Sequence, residues 1–253
     1  MPDTRLLVFG IFGLGFGIIL FLSSFKTFKR KRLIEDIPTS KIRSIAMGLV
    51  EICGEVIPAS NRIFKAPFTN KDCVYYRCIV QEERSLGKRR TWVTIKEEEK
   101  RDYFYLKDDT GLVLIDPRNA EIDIPTDFQF QSGINKDPPD SLKQYLSANK
   151  ISYEGIFSIN KKMRFYEYHI APNDKLYIMG FAGDNPFVKE GWAQQGIEDV
   201  MIQKGESEIY YISDRSEKEI IGRLKLKMVG ELVGGFLLVI SCLYALLLCF
   251  NLL

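Results

Sequence analysis

Hydrophobic and polar positions divide the chain into three. From Leu6 to Phe25 it reads LLVFGIFGLGFGIILFLSSF, twenty residues without a charge. At ~1.5 Å rise per residue, such a helix spans a hydrocarbon core of ~30 Å. From Leu232 to Leu253 it reads LVGGFLLVISCLYALLLCFNLL, again uncharged. These two runs predict transmembrane helices over 6–25 and 232–253. A cleaved signal peptide fits the first run less well, because no small-residue cleavage site follows it and KTFKRKR comes next. A buried core helix fits the second less well, since it is apolar on every face.

The middle, 33–214, has a different pattern. Leu33 to Val50 places Ile42, Ile45, Ala46 and Leu49 at helical spacing after Pro38, with Thr39 or Ser40 as cap, and predicts a short helix. Runs rich in β-branched and aromatic residues follow: GLVEICGEVIP, CVYYRCIVQEE, RTWVTIKEEE, MRFYEYHIAP, DKLYIMGFAG and SEIYYISD. They predict strands. Asp108-Asp109-Thr110-Gly111 predicts the turn of a hairpin over Tyr103 to Asp116, and Pro172-Asn173-Asp174 a second turn. Gln129 to Asp140 reads as a loop, and SLKQYLSANK as a short helix capped by Ser141. Asp214 or Ser216 is placed to cap a juxtamembrane helix over 215–231 that either continues into the second apolar run or breaks at Gly222 or Gly230. The expected class is α+β, a β-rich soluble domain with short helices flanked by two transmembrane α-helices.

Charge adds an orientation. Lys26, Lys29, Arg30, Lys31 and Arg32 follow the first run, and Arg215, Lys218, Arg223, Lys225 and Lys227 precede the second. Basic residues flanking membrane helices favour the cytoplasmic side, so the middle is expected there and both termini outside. Lys26, Lys29, Arg30, Lys31, Arg32, Arg223, Lys225 and Lys227 are the candidate contacts to anionic lipid head groups. The chain has 35 Lys+Arg against 33 Asp+Glu, and a balance of that kind does not point to nucleic acid. Cys53, Cys73 and Cys78 in the middle lack regular spacing and read as free thiols in a reducing compartment.

Chemistry-bearing patterns are sparse. His169, the chain's single histidine, reads either as a general base or metal ligand, or as a strand histidine with a local hydrogen bond. Cys73 and Cys78 point to opposite faces of a strand, which disfavours shared zinc. Asp108 and Asp109 read as turn formers rather than a catalytic pair, and Trp92 and Trp192 as sheet core. The glycines of GIFGLGFG lie in a membrane run, not after a strand, so they are no nucleotide loop. Gly13 and Gly17 form a GxxxG pair that admits the close approach of a helix, here assigned to an unidentified protein partner. No catalytic residue, metal or cofactor is expected.

Four stretches in order resemble one family: IPTSKIRSIAMGLVEICGEV, PFTNKDCVYYRCIVQEE, EYHIAPNDKLYIMGFA and YYISDRSEKEI. They are similar to the GIDE domain, also called the "beside a membrane" domain. It occurs in the mitochondrial ubiquitin ligase activator of NF-kappa-B and in shorter prokaryotic relatives that lack a RING finger. The resemblance rests on Pro38, Ser40, Lys41, Ile42, Gly48, Glu51, Gly54, Ser213 and Asp214. It implies a membrane-anchored domain related to E3 ubiquitin ligases. In the eukaryotic ligase a RING finger follows the second membrane helix; here the sequence ends at Leu253 without a Cys/His zinc array, so ligase activity is not expected to carry over.

The resulting expectation is a membrane-anchored binding or scaffold protein whose domain engages a protein partner or the membrane surface. The alternative is a RING-less participant in ubiquitin-like conjugation or organelle membrane regulation. The membrane would be the plasma membrane in a prokaryote, or an organelle outer membrane in a eukaryote, where the family's domain faces the opposite way.

Overall fold

The computed structural model describes residues 4–59, 63–87, 89–155, 160–187, 199–205 and 209–249. Two compact units emerge, Met1–Pro38 with Arg215–Leu253, and Thr39–Asp214.

The first unit is a pair of long helices, α1 (Thr4–Asp36) and, at the other end of the sequence, α3 (Glu217–Cys249), each of 33 residues. Both are long and apolar enough to cross a membrane. α1 does not stop at Phe25 but continues through the basic stretch to Asp36. α3 likewise runs unbroken through Gly222 and Gly230. The two pack antiparallel, because Gly10 meets Leu246, Gly13 meets Cys242 and Gly17 meets Val239. A Cβ on Gly235 would lie 2.7 Å from the Phe21 nitrogen and 2.9 Å from the Gly17 oxygen, so only glycine permits this backbone approach. The helix that uses the Gly13/Gly17 face is therefore α3 of the same chain. Away from the seam, large apolar side chains such as Phe9, Phe12, Phe16, Phe236 and Leu237 are exposed, as lipid-facing positions would be.

The second unit holds, among the described residues, two larger sheets and one two-stranded sheet. Among the described residues its strands are β1 (Gly48–Pro58), β2 (Phe64–Lys65), β3 (Asp72–Cys73), β4 (Tyr75–Leu86), β5 (Arg89–Arg101), β6 (Phe104–Lys107), β7 (Leu112–Ile115), β8 (Glu121–Asp123), β9 (Phe128–Gln131), β10 (Met163–Ile170), β11 (Lys175–Asp184), β12 (Val200–Gln203) and β13 (Tyr211–Ser213). The first sheet closes on itself, since β1 pairs with β6 at one edge and β11 at the other, and β6, β7, β12 and β11 complete the ring. β13 continues along β11 where β12 leaves off, and β8 pairs parallel to it. Inside lie Ile52, Val56, Phe104, Leu106, Ile115 and Ile178, each fully buried. Gly54 sits where β1 crosses β6; a Cβ there would be 2.4 Å from the Lys107 carbonyl oxygen.

The second sheet, β5-β4-β10-β9, is antiparallel. Helix α2 (Asp140–Ala148) covers one face of it, burying Leu142 and Leu146 against Val80, Met163 and Phe165. β10 leads through Asn173, at φ 67°, into β11 and so joins the sheets.

The expected class holds: two long apolar terminal helices flank a β-rich domain. Several details are corrected. The helix expected within Leu33–Val50 is replaced by the last turns of α1 and a 3-10 turn of Ile42–Ser44. Here the Ile42 N–H donates to Asp108 Oδ2 at 2.9 Å rather than along a helix. The loop expected from Gln129 begins with β9, whose partner β10 supplies its hydrogen bonds. Ser141 lies inside α2, whose N-terminal flank is Pro139 without a side-chain cap. Trp192 lies outside the described residues.

Candidate functional site

The end of β10 carries two buried polar side chains on one face, Glu167 and His169, because alternate strand positions share a side. Glu167 is fully buried. Burying a carboxylate costs several kcal/mol unless donors surround it. Its Oε2 accepts the Phe68 N–H at 2.5 Å, and its Oε1 accepts the Thr69 hydroxyl at 2.5 Å and the Thr69 N–H at 3.3 Å. These bonds hold the 66–70 turn over the second sheet, where Phe68 packs edge-on against Tyr145.

His169 is held differently. Its backbone N–H donates to Asp127 Oδ2 at 2.9 Å. Its ring Nδ1 lies 3.5 Å from that oxygen and 3.9 Å from Glu167 Oε1, with the side chain only 4% exposed. Nδ1 has no hydrogen-bond partner. The local side-chain hydrogen bond expected for a strand histidine is thus not made at Nδ1.

His169 opens onto a cleft of about 300 Å³. Its lining mixes polar Asp127, Asp174, Lys175 and Asp214 with apolar Ile124, Pro125, Ile170 and Leu176. Asp174 Oδ2 accepts the Ala171 N–H at 2.7 Å, while Lys175 leans to Glu55 at 3.9 Å. The walls come from the β8–β9 connection, the β10–β11 turn and the residue after β13. No local motif announces them as a group; the single histidine and the family-motif position Asp214 were the signals in the sequence.

The family-motif positions make the following contacts. Ser40 N–H donates to the Glu51 carbonyl at 2.7 Å, and the buried Glu51 carboxylate takes the Thr39 and Tyr177 hydroxyls at 2.5 and 2.6 Å. Lys41 pairs with Asp109 at 2.5 Å on the surface. Ile42 is core, and Gly48 takes a φ of 124°. The Ser213 hydroxyl donates to the Asp123 carbonyl at 2.7 Å. Pro38 follows α1, and Asp214 alone of this set reaches the cleft. Burial of Asp108 by itself would raise its carboxyl, but donors from Ile42, Thr110 and Gly111 hold it below the usual carboxylate range.

Cys73 and Cys78 belong to separate clusters. Burial, reinforced by Glu167, pushes the Cys73 thiol up to about 12, and burial pushes Cys78 up to about 11. Neither is a ready nucleophile. Among the described residues no three His, Cys, Asp or Glu side chains are grouped to hold a metal ion.

A family model, GIDE, with the description "E3 Ubiquitin ligase", matches residues 76–246, more than half of the chain. The chain belongs to the GIDE family. The GIDE match runs from β4 into α3, so it takes in Asp127, His169, Asp174, Ser213 and Asp214. Pro38, Ser40, Lys41, Ile42, Gly48, Glu51 and Gly54 precede it. No curated protein and no solved structure matches the chain.

Proposed function

We propose that the chain is a membrane-anchored binding or scaffold protein, with its GIDE domain cytoplasmic, engaging a protein partner, and both termini outside. The observation that carries the reading is the antiparallel helix pair. Lys26, Lys29, Arg30, Lys31 and Arg32 on α1 and Arg223, Lys225 and Lys227 on α3 sit at one end of it, as the Thr27–Glu231 bond between the helices requires. Such an end favours the cytoplasmic face and anionic head groups. The domain's charged interior groups are engaged in holding loops, which suits a binding module.

Two measurements test this. Protease added outside intact cells should leave residues 39–214 uncut, and digestion there would reverse the orientation. Cross-linking in native membranes should capture a saturable protein partner; robust hydrolase or transferase turnover with no partner captured would overturn the reading. The family description supports a second reading, participation in ubiquitin-type conjugation. Chain transfer by the membrane-embedded protein in a reconstituted ubiquitin reaction would favour it.

A further inference from the structure

The cleft beside His169 combines features that together specify a ligand. Its acidic groups, Asp127, Asp174 and Asp214, come from three separate segments of the chain, and no three of the described ligand-type side chains group to hold a metal ion. A point charge is therefore poorly served. A planar cation with several N–H donors spread around it can reach separated acceptors at once. Oδ2 of Asp127 and of Asp174 each hold a backbone N–H, which fixes both carboxylates and leaves each Oδ1 to accept. His169, whose buried Nδ1 has no hydrogen-bond partner and lies 3.5 Å from Asp127 Oδ2, lines the cleft beside them. Ile124 and Leu176 supply apolar wall for a methylene stem. At about 300 Å³ the cleft has room for one long side chain.

We infer that this cleft receives an arginine side chain of a partner polypeptide, its guanidinium held by Asp127 and Asp174 above His169. The inference rests on the reading of the domain as a protein-binding module and names what that module recognises.

Because His169 is the only histidine, selective isotope labelling of histidine in the full chain in detergent micelles gives a single imidazole reporter in the cleft. Titration with acetyl-arginine amide should shift that resonance saturably, whereas acetyl-citrulline amide, which has the same shape without the charge, should not. Asp127→Asn keeps an oxygen for the His169 N–H and should weaken binding at least tenfold; Asp174→Asn, with the Ala171 contact likewise retained, should do the same. A dispersed spectrum and unchanged melting confirm that each variant folds, and either folded variant suffices. An absent shift with the arginine amide, an equal shift with citrulline, or saturation by calcium chloride alone overturns the inference. Cross-linking of the same variants in native membranes separates the two levels. If a partner is captured by wild type and variants alike, the cleft inference falls and the binding reading stands; if the arginine amide binds but no partner is captured, the binding reading falls.

Discussion

Thr27 Oγ1 donates a 2.8 Å hydrogen bond to Glu231 Oε2, joining α1 to α3 between positions 204 residues apart in sequence. Lys227 stands 4.0 Å from the other oxygen of Glu231. The bond closes the polar end of a seam whose apolar part is set by Gly10, Gly13, Gly17 and Gly235. One carboxylate at the mouth of an apolar span is thus satisfied from the opposite helix, in the same register as the glycine contacts.

That register predicts a disulfide. A Cβ on Gly13 would lie 4.0 Å from the Cys242 Cβ, within the range of a normal bridge. Gly13→Cys should form a bond to Cys242 on mild oxidation in membranes, mapped by peptide mass. Gly15→Cys, with nothing within 4 Å, should not. Equal yields from the two would remove the register.

A similar argument applies to Gly54 in the closed sheet. Its neighbour is the Lys107 carbonyl oxygen at 2.4 Å, backbone that cannot rotate away. Gly54→Val should cost about 3 kcal/mol or prevent folding, as an overpacked site does. Gly87→Ala, in the β4–β5 turn with open space around it but a φ of 62°, should cost only about 1 kcal/mol. Thermal melting of the two variants checks the ranking, and a Gly54→Val melt equal to wild type would contradict the crossing.

How much of this was legible depended on what decides each element. β1 matches its alternating run, GLVEICGEVIP, because Val50, Ile52 and Val56 all need the same interior. β8, β9 and β12 have only three or four residues each, too few for a periodicity, and partners far along the chain make them strands. The helix expected around Ile42 failed for the same reason: apolar spacing was present, but Asp108, 66 residues away, takes the N–H that a helix would have used. His169 stood out as a lone residue type. Its surroundings did not, since Asp127 and Asp174 are 42 residues before it and five after, and are brought to it by a strand lead-in and a turn.

Asp108 supplies a pH prediction. Its folded value lies below the ordinary 3.8, so the stability it contributes is present above that value and is lost as pH falls through the lower, folded one. Asp108→Asn should lower the melting temperature at about pH 7 and equally at about pH 5. The gap should then close as acidification protonates the wild-type carboxyl. A gap that stays constant down to about pH 2 would show that the donors from Ile42, Thr110 and Gly111 do not discriminate the charged form.

Glu167 tests whether the buried carboxylate organises the 66–70 turn. Glu167→Ala removes the acceptor of the Phe68 N–H, the Thr69 N–H and the Thr69 hydroxyl together, and the space it vacates is fully enclosed. Unmet buried donors and the cavity together should cost about 3–5 kcal/mol. Glu167→Gln retains one acceptor oxygen of nearly the same shape, so it should cost about 1–2 kcal/mol, with part of the turn still held. Hydrogen exchange locates the effect: the Phe68 and Thr69 amides should lose protection in the alanine variant more than amides of β1 do, because only the turn depends directly on this side chain. A uniform loss would instead mark Glu167 as a support of the whole domain, and a loss under about 1 kcal/mol would mean that the carboxylate's own desolvation nearly cancels what its donors return.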